Sequence, residues 1–70
     1  MKERENYLPH QQRVVDEKKE LELRIADLEH FVNYNDIFNS LSEMNQRLLL
    51  MQLKTMKTYC DIIGARISLF

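Results

Sequence analysis

Apolar residues recur at steps of four and three along the first half of the chain: Val14, Lys18, Leu21, Ile25, Leu28 and Val32, with a lysine in one slot. That spacing gathers one stripe on a single helix face and predicts a coiled-coil-like seam. Asp16, Glu17, Lys19, Glu20, Arg24, Asp27 and Glu29 fall on the outer side, where Glu20 and Arg24 make a favourable i,i+4 pair. Pro9 marks the start, because proline at the first helical position gives up an N–H that has no partner there. The helix is predicted over about 9–32, behind a polar arm over about 1–8.

Asn33-Tyr34-Asn35-Asp36 then supplies turn chemistry, since Asn and Asp bond their own backbone and tolerate the left-handed region. A connection over about 33–41 follows, in which Ile37, Phe38 and Leu41 are expected to cover the end of the core. Ser40 with Glu43 offers one capping box and Ser42 a cap one turn later. A second helix is therefore predicted over about 42–68. It carries two stripes. The main one is Leu49, Leu53, Met56, Cys60, Ile63, Ile67 and Phe70; beside it run Leu48, Gln52, Thr55, Tyr59, Ile62, Arg66 and Leu69. Together they cover more surface than one facing helix can bury. Gly64, near the end, reads as a frayed terminus or a site of close approach to another helix. The fold class is all-α: one antiparallel helical hairpin spanning the chain, with a short N-terminal arm.

Size sharpens this reading. A 70-residue chain buries too little surface to be comfortable alone. Small domains add disulfides, a metal or a partner chain. The one cysteine, Cys60, excludes an internal disulfide and reads as a small buried hydrophobe. His10, His30 and Cys60 fit no zinc spacing. A partner chain remains, and the expectation is a homo-oligomer.

Charge and hydropathy remove further classes. A net charge of −1 argues against coating long nucleic acid, which needs a basic excess. Leu48-Leu49-Leu50-Met51 is far too short an aliphatic run to span a bilayer. The charged start, Met1-Lys2-Glu3-Arg4-Glu5-Asn6, is unlike a signal peptide, so a cytoplasmic location is expected. No phosphate loop, paired carboxylates or nucleophile with a base stands out, and no enzyme and no cofactor are expected.

Two places suit an anion. The first is the start of helix one, where backbone N–H groups lack intrahelical partners and the dipole is positive. Leu8 in the cap position has no side-chain oxygen to occupy them. His10, Gln11, Gln12 and Arg13 surround this end, Lys18 lies further along, and Tyr7 is placed to stack on a base. A water-capped helix end is the plainer account. The second is Arg66, a cation between Ile62 and Leu69. Its plain partners are a neighbour's carboxylate or the last carbonyls of its own helix. The sharper reading has several Arg66 side chains converging on a symmetry axis around an anion. For Lys18 the plain account is a stem packed on the seam with the ammonium reaching solvent.

The run Pro9-His10-Gln11-Gln12-Arg13-Val14-Val15, followed by Glu17-Lys18 and Glu20-Leu21, resembles a group of small phage-encoded helical hairpins. So do Leu48-Leu49 with Gln52, Met56 and Tyr59, and the terminal Ile63-Gly64-Ala65-Arg66-Ile67. The group looks related to the hairpin domain of phage sponges that blunt CBASS and Thoeris immunity, and the resemblance runs from about Leu8 to Phe70. It implies a homohexamer in the bacterial host cytoplasm that sequesters cyclic di- or trinucleotides without cleaving them. It further implies cyclic dinucleotides held between protomers by a tyrosine and a lysine, and cyclic trinucleotides held near three-fold axes by an arginine late in the second helix. Arg66 matches that arginine. Aligning the first helices through Arg24-Ile25 puts Ala26 where the pocket lysine is expected, and Tyr7 supplies the ring only after a shift. The candidate ligand residues are thus Arg66, Tyr7, His10, Gln11, Arg13 and Lys18. The alternative is a structural or protein-interaction hairpin with no nucleotide ligand.

Overall fold

Pro9 begins helix α1 (Pro9–Tyr34), with Leu8 as an extended cap residue. Gln11 Oε1 accepts a hydrogen bond from the Leu8 N–H at 3.0 Å. Leucine has no acceptor to return it, so only half of a reciprocal capping pair forms. The computed structural model describes residues 7–70; of the expected arm, residues 1–6 lie outside the described residues. Helix α1 continues through Asn33 and Tyr34, past the expected end, and the Tyr34 ring lies 5.1 Å from His30 one turn back.

Asn35 makes the break. Its backbone is extended, and its side chain accepts from the Ile37 N–H at 2.8 Å. No described residue has a positive φ, so the turn rests on the asparagine side chain and not on left-handed backbone. The expected loop instead contains a short helix, α2 (Asp36–Ser40). Phe38 of α2 is buried and meets Phe31 edge to face with centroids 6.1 Å apart. Leu41 is half-buried, whereas Ile37 faces solvent, so two of the three apolar residues of the connection close the core.

Ser42 caps the second long helix, α3 (Glu43–Ile67), accepting from the Asn45 N–H at 3.1 Å. Ser40 instead donates to Ile37 O at 2.7 Å within α2, which settles the choice between the two candidate caps. Gln46, in the first turn of α3, reaches back. Its Nε2 donates to the carbonyls of Phe38, Asn39 and Leu41 at 3.1, 3.3 and 3.1 Å. Phe38 O also accepts the Leu41 N–H that closes α2, and Gln46 adds a donor to this cluster of carbonyls at its end.

Helices α1 and α3 pack antiparallel. Tyr7 meets Phe70, Glu17 meets Tyr59, and Glu29 pairs with Lys57, a run of contacts that descends one helix as it climbs the other. The inner face of α3 is the expected main stripe: Ile63 is fully buried, and Leu49, Leu53, Met56, Cys60 and Ile67 are half-buried. Across it, Val14, Leu21, Ile25, Leu28 and Val32 are half-buried. The molecule is a rod, 47 × 17 × 15 Å.

Gly64 is neither frayed nor facing another backbone, because α3 runs on to Ile67. A Cβ at Gly64 would stand 3.2 Å from Lys18 Cε. The glycine is a notch for the lysine stem.

Among the described residues only Phe38 and Ile63 are buried hydrophobics. By contrast, Leu48 is 52 %, Ile62 52 % and Leu69 85 % exposed, which leaves the second stripe of α3 uncovered in the hairpin. No helix among the described residues is long and apolar enough to cross a membrane.

Gln46 yields a stability prediction. Gln46→Ala is expected to cost about 1–2 kcal/mol, since part-buried carbonyls lose their donor. Gln46→Glu keeps the size but aims a carboxylate at carbonyl oxygens, and is expected to cost more at neutral pH and to recover partly below about pH 4, where the carboxyl becomes a donor. Urea melts at the two pH values measure this; a Glu variant as stable as the parent at neutral pH would contradict it.

Candidate functional site

The antiparallel register brings the start of α1 and the end of α3 to one end of the rod. Tyr7 packs its edge against Phe70, with centroids 5.9 Å apart. It is half-buried, and one side of its ring is engaged by the chain's own C-terminus. His10 and Arg13 are exposed on the first turns of α1. The Gln11 side-chain oxygen is used by the Leu8 N–H, leaving its amide NH2 to face outward chemistry. Gln12 donates to Asp16 at 2.9 Å.

Lys18 Nζ bonds Glu22 Oε2 at 2.6 Å, while its stem crosses the Gly64 notch. The Glu22 hydrogen bond raises the Lys18 pKa above its ordinary value, against a smaller opposing effect of desolvation. Arg66 lies in the last turn of α3, exposed, where a cation suits the negative end of the helix dipole. No carboxylate among the described residues is within salt-bridge distance of it. The sequence treats the helix start and Arg66 as separate places. The fold brings Tyr7 against Phe70 and the Lys18 stem against Gly64, both contacts involving the C-terminal part of the chain that carries Arg66.

A second feature lies further along the same side. Glu17, Glu20, Leu21, Arg24 and Tyr59 line a groove of about 290 Å³ between α1 and α3. The Tyr59 hydroxyl donates to Glu17 Oε2 at 2.6 Å, tying the two helices together. That hydrogen bond, with desolvation and the negative charge of Glu17, pushes the Tyr59 phenol above its ordinary pKa; Arg66 acts weakly the other way. Arg24 Nη2 stands 3.7 Å from Glu20 Oε2 with both side chains largely exposed, so this pair is loose. By spacing alone Glu17, Glu20 and Arg24 belong to a solvated outer face, and the groove is not visible in the sequence. The available signal was Tyr59, an aromatic in an otherwise uncovered stripe.

Among the described residues no group of three or more His, Cys, Asp or Glu side chains is placed to hold a metal. Cys60 is a free, half-buried thiol on the inner face.

Comparison with protein families finds a match to the family model described as Sequestin over residues 8–69. The chain belongs to the Sequestin family. This is the family of phage sponges against CBASS and Thoeris signalling that the helix-start and helix-end motifs resemble. The Sequestin match takes in both long helices, including His10, Gln11, Arg13, Lys18 and Arg66, and begins one residue after Tyr7. It is a sequestering family and not one defined by catalysis. No curated protein and no solved structure matches the chain.

The inter-helix hydrogen bond has an optical signature. The difference absorbance between the parent and Tyr59→Phe is expected to titrate above pH 10, the ordinary tyrosine value. The sign follows from linkage: a group whose folded pKa is raised stabilises the fold below its unfolded pKa, and that contribution fades as pH rises through the folded value. A difference signal titrating at or below the ordinary value would mean that Tyr59 and Glu17 do not pair in solution.

Proposed function

We propose that this sequestin is a phage anti-defence sponge, which binds cyclic oligonucleotide second messengers in the host cytoplasm and withholds them without cleavage. Membership of the family over nearly the whole chain carries the reading. An exposed Arg66 at the end of an uncovered stripe supports it. The working form is a homo-oligomer, a hexamer by resemblance, in which the second stripe of α3 supplies the contact between chains. In that arrangement several Arg66 side chains meet near a three-fold axis. Alone they repel; a cyclic trinucleotide brings three phosphates and gives each guanidinium a two-point partner. Tyr7, His10, Gln11, Arg13 and Lys18 form the second candidate ligand surface at the start of α1. With Ala26 in place of the lysine expected of a dinucleotide pocket, Lys18 is the cation nearest that role.

A protein-interaction hairpin is the second reading, favoured by the exposure of Leu48, Ile62 and Leu69. The two differ in one measurement. A sponge gains thermal stability with a cyclic nucleotide and releases it unchanged on denaturation, whereas an interaction hairpin responds to no nucleotide.

Two variants test the parts. Ile62→Asp is expected to dissociate the oligomer, because it places a charge in an apolar contact; light scattering that finds the parent chain monomeric and well folded would refute the assembly. Arg66→Ala is expected to abolish cyclic trinucleotide binding while leaving the unliganded oligomer as stable as before or slightly more so. Arg66→Lys restores binding only in part, since an ammonium lacks the planar fork. Looser assembly with unchanged affinity would instead make Arg66 a structural residue.

A further inference from the structure

Arg66 sits between the two points where the end of α3 is held against the beginning of the chain. Before it, the Lys18 stem lies in the Gly64 notch, with Cε 3.2 Å from where a Cβ would stand. After it, Phe70 meets Tyr7 with ring centroids 5.9 Å apart. The residues between are tied to one another. The Ser68 N–H reaches the carbonyls of Gly64 and Arg66, and the Ser68 hydroxyl donates to Ala65 O at 2.7 Å. A shift at Gly64 is therefore carried into the turn that bears Arg66.

Helix stability does not account for the glycine. Glycine inside a helix is less favourable than alanine, and Gly64 has no positive φ that would exclude a side chain. What it provides is room for the stem. That stem is not free to swing away, because its ammonium is bonded to Glu22 at 2.6 Å and the Lys18 side chain is only 28 % exposed. A Cβ at position 64 would press on a stem whose far end is held, so part of the displacement, a few tenths of an ångström, falls on α3. A two-point guanidinium contact depends on placement to within about 0.5 Å, so a shift of this size is felt at a phosphate held by Arg66.

We propose that Gly64 is a positioning residue for the Arg66 anion site: by admitting the Lys18 stem it sets the last turns of α3, and with them the guanidinium, against α1. This rests on the cyclic-trinucleotide reading of Arg66 above and adds to it the residue pair that aims the arginine. At this site Lys18 acts through its aliphatic stem, and its pairing with Glu22 keeps that stem in the notch.

The experiment is calorimetric titration of the full chain with cyclic tri-AMP, in the parent, Gly64→Ala, Lys18→Ala and the double variant, with melting and light scattering of each unliganded protein. Gly64→Ala is expected to weaken binding by roughly two- to tenfold, the range for residues coupled by direct contact. Its melting temperature is expected to hold or rise, because alanine is the better helix former. Loss of affinity without loss of stability separates positioning from a merely structural role. Lys18→Ala alone empties the notch and is expected to weaken binding as well. In the double variant the new methyl no longer meets the stem, and most of the affinity lost in Gly64→Ala is expected to return. A double variant that binds worse than either single one would instead make the Lys18 ammonium a direct ligand contact and overturn the positioning role. Gly64→Ala that binds like the parent, or that loses affinity together with stability or assembly, also overturns it and leaves the Arg66 site standing. A parent that does not bind cyclic tri-AMP overturns both.

Discussion

One helix with two apolar stripes has only one helix to lie against. That mismatch organises the molecule. Helix α3 spends its main stripe, centred on Ile63, on α1, and the stripe through Leu48, Ile62 and Leu69 is left facing water. A hairpin whose buried hydrophobics, among the described residues, are Phe38 and Ile63 has little core to set against the entropy of ordering two long helices. What holds the hairpin's geometry is therefore spread along the rod in small devices. Gln46 ties the connection to α3, Phe38 closes one end on Phe31, and Tyr59 and Lys57 bond across to Glu17 and Glu29.

Antiparallel pairing has a functional consequence. Residues far apart in sequence share one end of the rod, where Tyr7 rests on Phe70 and the Lys18 stem lies in the Gly64 notch. The glycine lets the Lys18 side chain lie close against α3 there. An alanine would push the lysine stem outward by a few tenths of an ångström. The chain's net charge is −1, so its surface as a whole is not basic. Local cation placement and a near-neutral total are compatible with a compact polyanionic ligand and unfavourable for long nucleic acid.

Much of this was legible from spacing. The stripes at steps of four and three located both long helices and named the inner face of α3, because side-chain direction in a helix follows from its period alone. Pro9 and Ser42 marked the starts for local reasons: a missing N–H and a hydroxyl acceptor. The short helix α2 was not legible, since Asn35 could have turned the chain through left-handed backbone as readily as through its side chain. Ile37 was misplaced for the same reason, as five residues carry too little periodicity to show which way each points.

The sequence by itself determined the helical hairpin, its capped ends, the apolar surplus on α3 and the family, all of which depend on residues close together along the chain. Tertiary structure alone decided which outer-face charges line the groove. Glu17, Glu20 and Arg24 look like any solvated helix surface until the register of α3 sets Tyr59 beside them. Gly64 likewise looks like a weak point in a helix until Lys18 crosses it. The physical reason is that register between two helices is a sum of many weak contacts over their whole length, and no short stretch of sequence contains it.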